Sequence, residues 1–193
     1  DIEKIGEHLD SIGVELDAVY TGFLGSAAQV RTVEAFIDRF SKKASPLIFV
    51  DPVMGDDGEL YSACFPELVS EMRRLIARAD VVTPNLTEAC LLAGEDFCNT
   101  AKMSAAEAER FAARLARKIK EITPAECVIT GIVTAEGVGT YTAYGLHTER
   151  QRGRGYPGTG DLFASVMLGK LLAVKTRKAS VTKILSRMPR LLV

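Results

Sequence analysis

Short apolar segments that alternate with helical patterns constrain the fold of this chain more than any other feature. Residues 47–50 are continuously apolar, as expected for a strand that is buried on both faces of a sheet. Before this segment, four apolar residues recur at the spacing of one helix face: Val30, Val33, Ile37 and Phe40. Strands that are separated by helices favour a parallel sheet covered by helices. The pattern therefore predicts an α/β fold, with three α/β/α layers around a mostly parallel central sheet.

The same alternation continues along the rest of the chain. Further strands are predicted at residues 16–20, 81–82, 127–130 and 139–144, and further helices at residues 2–12, 68–76, 86–93, 104–122 and 161–173. Ser104 and Glu107 form a capping-box pattern at the start of one helix, and Gly94 can end the helix before it. We therefore expect residues 1–193 to form one domain.

The balance of charge gives no reason to expect a nucleic-acid or membrane partner. The 193 residues have a formal net charge of −1. No apolar run is long enough to span a bilayer and no signal peptide opens the chain, so a cytoplasmic protein is expected. The four cysteines form no CxxC pair and are expected to be reduced. The basic tail after Ala173 favours a helix with a solvated face, with a nucleic-acid- or membrane-binding module as the alternative.

Polar residues directly follow four of the predicted strands. They are Thr21-Gly22, Asp51, Thr83-Pro84-Asn85 and Thr130-Gly131. In a parallel sheet the carboxyl ends of the strands lie at the same edge, and ligands bind there. The sequence therefore predicts a binding site that these residues form together.

The segment Gly158-Thr159-Gly160-Asp161 is the strongest chemical motif. Two glycines let the backbone turn tightly and approach a ligand, and the helix that follows offers free N–H groups at its positive end. Such a loop can hold the oxygens of a transferring phosphoryl group. Asp161 can then accept the proton of an attacking hydroxyl. The alternative is a loop with an N-capping Asp and no chemistry.

Two further acidic segments lie at the predicted site. Asp51 begins the segment Asp-Pro-Val-Met-Gly-Asp, and its carboxylate can act on Mg²⁺ and phosphates, although the same residues also favour a simple turn. Glu88 lies three residues after Asn85 and can aim its carboxylate at the same edge. The alternative for Glu88 is a first-turn acid that favours the helix dipole.

Four motifs in this order resemble those of pyridoxal kinases in the ribokinase-like superfamily. The motifs are residues 21–26 (Thr-Gly-Phe-Leu-Gly-Ser), residues 51–56, residues 83–85 with Glu88, and residues 158–161. The resemblance covers about residues 15–170. Asp161 favours a pyridoxal kinase, because the related hydroxymethylpyrimidine phosphate kinases usually have Cys at this position.

The resemblance implies ATP-dependent phosphorylation of the 5′-hydroxymethyl group of pyridoxal, pyridoxine or pyridoxamine. One alternative is a hydroxymethylpyrimidine (phosphate) kinase. Another is a non-catalytic remnant that binds a nucleotide or pyridoxal. Chains of the family are longer at the N-terminus, and the C-terminal helices of this chain look incomplete by comparison. The expected domain therefore lacks the N-terminal part and the C-terminal end of the family pattern.

The resemblance also implies a role for each matching residue. Asp161 would be the general base, and the anion hole would consist of Gly158, Thr159 and Gly160. Mg²⁺ would be bound, directly or through water, by Asp51, Asp56 and Glu88. The residues that would face ATP are Thr83, Asn85, Thr130 and Gly131, with residues 135–157 enclosing it. The residues that would lie near the vitamer are Phe23 and Tyr61.

Two further expectations follow from the same family. A monovalent cation such as K⁺ would lie near Asp51 and Thr83. The protein would form a homodimer.

Overall fold

The computed structural model of the chain describes residues 1–150 and 158–173. In chain order the elements are α1 (Ile2–Ser11), β1 (Ala18–Thr21), α2 (Ala27–Ser41), β2 (Leu47–Val50), β3 (Gly55–Asp56), β4 (Glu59–Leu60), α3 (Pro66–Ile76), β5 (Val81–Val82), α4 (Leu86–Ala93), α5 (Ala105–Lys120), β6 (Glu126–Cys127), β7 (Ile129–Thr134), β8 (Gly137–Thr142), β9 (Gly145–Glu149) and α6 (Thr159–Ala173). No helix in this part of the chain is long and apolar enough to cross a membrane. The predictions for residues 151–157 and for the basic tail after Ala173 lie outside the described residues.

The central sheet has four parallel strands in the order β1-β2-β5-β6. β2 lies between β1 and β5, with Thr21 opposite Val50 and Val50 opposite Val82. β6 pairs with β5 at the other edge of the sheet. Because all four strands run in the same direction, their carboxyl ends lie at one edge, as the sequence predicted.

Helices cover both faces of this sheet, which confirms the three-layer α/β/α fold. On one face, Ile48, Val50 and Val82 belong to the larger core, together with apolar residues from α2 to α5. On the other face, Phe49 and Val81 belong to a smaller core that α6 covers. The residues that α6 buries there are Ala164, Met167 and Leu171. Successive side chains of a strand point to opposite faces, so one apolar run supplies both cores.

Local sequence signals set several boundaries where they were predicted. The helix of residues 86–93 is α4, and it ends at Gly94, whose φ of 66° suits a residue without a side chain. Ser104 and Glu107 form both hydrogen bonds of the predicted capping box at the start of α5. The apolar face predicted for the helix of residues 27–41 is buried in α2. The four cysteines are free thiols, as predicted.

The region after residue 126 differs from the prediction. The strand predicted at residues 127–130 is divided between two sheets, because β6 ends at Cys127 and β7 starts at Ile129. The register shifts between Ile129 and Ile132, where Gly131 has a φ of 66°. β7, β8 and β9 then form an antiparallel sheet. The strand predicted at residues 139–144 is β8, which spans residues 137–142. Sequence patterns did not predict β9 or the β3–β4 hairpin.

Candidate active site

Three neighbouring strands lead into buried polar residues at the carboxyl edge of the central sheet. Thr21 ends β1, Asp51 follows β2 and Thr83 follows β5, and all three are buried. The Asp51 N–H donates to the Thr21 carbonyl oxygen over 2.9 Å, and the Thr83 hydroxyl donates to the Asp51 carboxylate over 3.1 Å. Among the described residues, the buried Thr21 hydroxyl oxygen has no hydrogen-bond partner. Such an atom at the edge where ligands bind is consistent with a polar ligand or water there.

The Asp51 carboxyl group is poorly compensated inside the protein. Burial raises its pKa to about 6, the hydrogen bond from Thr83 acts in the opposite direction, and the negative charge of Asp161 raises it further. The ionised form of a buried carboxylate gains most from a nearby cation. Asp51 is therefore the best placed of the predicted metal-binding residues to bind one.

The Glu88 carboxylate links α4 to the segment that follows Asp51. One of its oxygens accepts from the Met54 N–H over 3.0 Å and the other from the Asn85 N–H over 2.8 Å. Burial raises the pKa of Glu88 to about 8, although these backbone donors act in the opposite direction. Both oxygens are thus bound to the backbone. Glu88 lies in the first turn of α4, as in the alternative interpretation, and also closes a capping box with Asn85. Its contact with Mg²⁺ stays a prediction.

Asn85 and Thr130, two residues predicted to face ATP, lie side by side. They form an isolated parallel β-bridge, and the Thr130 N–H donates to the Pro84 carbonyl oxygen over 2.9 Å. The Asn85 amide also donates to the Gly55 carbonyl oxygen over 2.7 Å. Gly131 is next to this bridge and is exposed. Thr83 lies two residues before Asn85, so the residues predicted to bind ATP lie close together. Their contacts with the nucleotide stay predictions.

The glycine motif forms the start of α6. Gly158 has a φ of 85°, which favours glycine, and its carbonyl oxygen accepts the first helical bond, from the Leu162 N–H over 3.0 Å. The N–H groups of residues 159–161 therefore have no partner within the helix. A side-chain carbon placed on Gly158 or Gly160 would meet no atom of the described residues within 4 Å. This end of α6 can accept a phosphate.

The Asp161 side chain lies close to the polar edge of the sheet. Its negative charge helps to raise the pKa of Asp51, Tyr20 and Tyr61. The first turn of α6 and the end of β2 therefore face a common space. Sequence reasoning missed Tyr20 at this place. The available signal was its position in β1, directly before Thr21-Gly22.

The remaining predicted residues are more exposed. Tyr61 is 41% exposed, and burial, followed by the charges of Asp56 and Glu88, raises its pKa. Asp56 lies at the end of β3, where its carboxylate accepts from the Asp57 N–H over 3.0 Å. Phe23 is 52% exposed and follows β1. The contacts of these side chains with a substrate or metal stay predictions.

The carboxylates fit a magnesium ion that is shared with phosphates. Within residues 1–150 and 158–173, no three His, Cys, Asp or Glu side chains are grouped closely enough to hold a metal ion. Mg²⁺ is usually bound through one or two carboxylates, several waters and the phosphates of the substrate. The buried and poorly compensated Asp51 carboxylate can provide one of these carboxylate ligands.

Comparisons with known proteins identify the family. The sequence matches the profile of phosphomethylpyrimidine kinases over residues 1–184. The chain belongs to the phosphomethylpyrimidine kinase family. It is 31% identical to the pyridoxal kinase PdxY of Deinococcus radiodurans, over 97% of this chain and 67% of that protein. It spans about half the length of several other curated pyridoxal kinases that it matches.

Solved structures of relatives have the same ribokinase-like fold. A Bacteroides thetaiotaomicron protein assigned to the phosphomethylpyrimidine kinases, crystallised with pyridoxal, has a TM-score of 0.73 and 36% identity, over 88% of this chain and 60% of that one. The pyridoxal kinase of Staphylococcus aureus in complex with ADP has a TM-score of 0.71 and 25% identity, over 93% of this chain and 62% of that one. These relatives bind the two kinds of ligand that the sequence motifs predicted.

Proposed function

We propose that the chain transfers the γ-phosphoryl group of ATP to the 5′-hydroxymethyl group of pyridoxal, or of pyridoxine or pyridoxamine. The observation that carries the proposal is the position of Asp161, in the open first turn of α6 and close to the buried Asp51. A carboxylate beside a phosphate-binding helix end suits the transfer of a phosphoryl group to an alcohol. The pyridoxal and ADP complexes of related proteins support the choice of substrates.

In this mechanism the chain positions the reactants and stabilises charge. Asp161 accepts the proton of the substrate hydroxyl as its oxygen attacks phosphorus. The anion hole of Gly158, Thr159 and Gly160 holds the oxygens of the transferring group, and the positive end of α6 favours their negative charge. Fixing both reactants in line contributes a large part of the rate enhancement of such transfers.

The same proposal assigns the cofactors and the remaining residues. Asp51, Asp56 and Glu88 would hold Mg²⁺ directly or through water, and the ion would neutralise charge on the phosphates. The residues assigned to ATP are Thr83, Asn85, Thr130 and Gly131. The exposed rings of Phe23 and Tyr61 would pack against the pyridine ring of the vitamer. We also propose a cytoplasmic homodimer, because the family resemblance implies one.

A monovalent cation beside Asp51 gives a pH-dependent prediction. Burial raises the pKa of Asp51 to about 6 in the folded chain, from 3.8 for an aspartate in water. Without a bound cation, the contribution of Asp51 to the free energy of unfolding should fall by about 3 kcal/mol as the pH rises through this window. K⁺ bound to the ionised carboxylate should reverse this loss above pH 6 and have little effect at pH 5.

Urea unfolding in KCl and in tetramethylammonium chloride of equal concentration measures this effect. Asp51→Asn should lose about 3 kcal/mol less than the parent chain over this window, because only the fall due to the raised pKa of Glu88 remains. It should show no specific effect of K⁺. Equal stabilisation by K⁺ at pH 5 and pH 7 would place the cation elsewhere.

The family profile supports a second candidate, phosphorylation of a hydroxymethylpyrimidine or its phosphate. Both candidate substrates carry a hydroxymethyl group on a nitrogen-containing ring, so the same base could serve either. Asp161 favours the pyridoxal substrate, because hydroxymethylpyrimidine phosphate kinases usually have Cys there.

Product analysis tests the proposed function and separates the two candidates. The chain is incubated with ATP, Mg²⁺ and K⁺, and with each vitamer or pyrimidine in turn, and the phosphorylated product is identified by mass. We expect pyridoxal 5′-phosphate to form at the highest kcat/KM. Preferential phosphorylation of the pyrimidine would select the second candidate. Binding of ATP and pyridoxal without any product would support a non-catalytic remnant.

A further inference from the structure

Tyr20 is a hydroxyl-bearing residue at the site to which the proposed mechanism gives no role. It is the third residue of β1 and lies opposite Phe49 of β2. The two rings meet edge to face, with their centroids 5.6 Å apart. Phe49 belongs to the small core that α6 covers. Tyr20 therefore lies on the face of the sheet that carries α6, and its neighbour Val19 belongs to the larger core on the opposite face.

The Tyr20 hydroxyl is directed towards the carboxyl edge of the sheet. Its oxygen lies 3.8 Å from the position that a side-chain carbon on Gly22 would occupy, two residues further along the chain. The side chain is 37% exposed, and the described residues provide no hydrogen-bond partner for the hydroxyl. The aromatic ring is thus packed, while its polar end is available to a ligand.

The surroundings of the Tyr20 hydroxyl keep it protonated, so it can act as a hydrogen-bond donor. Burial, and then the charges of Asp51 and Asp161, raise the pKa of Tyr20 to about 12. The group therefore stays neutral at physiological pH and adds no negative charge next to the phosphates. It can donate one hydrogen bond to a ligand that lies between the two carboxylates.

The phosphoryl group is the ligand that suits such a donor. Its oxygens only accept hydrogen bonds, and they carry the negative charge that develops during transfer. The substrate hydroxyl suits it less well, because a hydrogen bond donated to the attacking oxygen would weaken its nucleophilicity. We propose that the Tyr20 hydroxyl donates a hydrogen bond to the phosphoryl group that passes from ATP to the substrate alcohol, an inference that rests on the proposed function.

Tyr20→Phe removes the donor and keeps the ring that packs on Phe49. A hydrogen bond to a charged group contributes enough for kcat to fall by about tenfold or more. The KM for the vitamer should stay within about twofold of the parent value, because the contact is with phosphate. Ser70→Ala is the matched control, since it removes a hydroxyl on α3 that donates to the Glu67 carbonyl oxygen and, within the described residues, to no other group. This control should keep the parent kcat.

Nucleotide affinity gives a readout that does not need turnover. The affinities for Mg²⁺ with ADP and for Mg²⁺ with the β,γ-imido analogue of ATP are measured by calorimetry for the parent chain and for Tyr20→Phe. Tyr20→Phe should weaken binding of the analogue by about tenfold and leave ADP binding unchanged, because only the analogue carries the third phosphate. Equal losses for both nucleotides, or no loss for either, would overturn the inference.

The two readouts separate the inference from the proposed function. A parent chain that turns over, with an unchanged kcat and unchanged affinities in Tyr20→Phe, would refute the role of Tyr20 alone. A parent chain without turnover would contradict the proposed function, and the affinity ratio would still decide the contact of Tyr20. A chain that binds neither nucleotide would contradict both.

Discussion

Asp161→Asn is expected to lower the turnover of pyridoxal by about 10²- to 10⁴-fold and to leave ATP binding within a few-fold of the parent value. The amide has nearly the same size as the carboxyl group, and Asp161 is exposed in the first turn of α6, so the fold should not change. The amide cannot accept the proton of the substrate hydroxyl at neutral pH. The free N–H groups at the start of α6 remain, and they continue to attract the phosphates.

Steady-state kinetics and calorimetry with ATP check the two halves of this expectation. Asp96→Asn is the matched control, because this exposed aspartate lies in the segment between α4 and α5. Its turnover should equal that of the parent chain. Parent-like turnover in Asp161→Asn would remove the general base from the mechanism. A large loss of ATP affinity in this variant would instead mean that Asp161 acts mainly on the nucleotide or its metal ion.

Much of the central fold could be predicted because its signals are local. Residues 47–50 are apolar without interruption, and the structure has β2 at these residues. α4 has a cap at each end, formed by Asn85 with Glu88 at its start and by Gly94 at its end, so both boundaries followed from the sequence. The antiparallel sheet of β7, β8 and β9 was harder to predict. The apolar run continues from β6 of the central sheet into β7 of the antiparallel sheet, so the pattern does not mark where one strand ends. The irregular pairing of β7 depends on the backbone conformation at Gly131.

The sequence predicted that polar residues would meet at one edge of the sheet, but it did not predict which atoms they contact. Parallel strands bring Asp51, Thr83 and Asn85 to one edge, so their order along the chain was sufficient to predict a common site. The partners of each side chain depend on tertiary packing. Nothing in the sequence indicates that Glu88 accepts from the Met54 N–H. Tyr20 was read as part of an apolar strand, and its position beside the site depends on the pairing of β1 with β2, which the sequence pattern does not contain.

Glu88→Ala is expected to lower the free energy of unfolding by about 2 to 4 kcal/mol, since it leaves two backbone N–H donors without an acceptor. One is the Asn85 N–H of the capping box, and the other is the Met54 N–H in the segment after Asp51. The Met54 N–H is buried and the Asn85 N–H is partly buried, so water compensates poorly for the first and only in part for the second. Loss of the second bond should also free the segment that positions Asp51, so turnover should fall together with stability.

The second capping box of the chain provides the matched control for this prediction. Glu107 closes the same two-bond arrangement with Ser104 at the start of α5, where the side chains are exposed. Glu107→Ala should therefore cost only about 0.5 to 1.5 kcal/mol in urea unfolding and leave turnover unchanged. Equal costs for the two variants would show that the bond to Met54 adds little.

Glu88→Gln then separates a structural role of Glu88 from a role in metal binding, because the amide keeps one acceptor and loses the charge. If Glu88 mainly fixes the segment after Asp51, the Mg²⁺ concentration for half-maximal turnover should not change. If the carboxylate also holds the ion, that concentration should rise by about tenfold, because the ion then loses a ligand. The contacts with Met54 and Asn85 already occupy both oxygens, so we expect the first result.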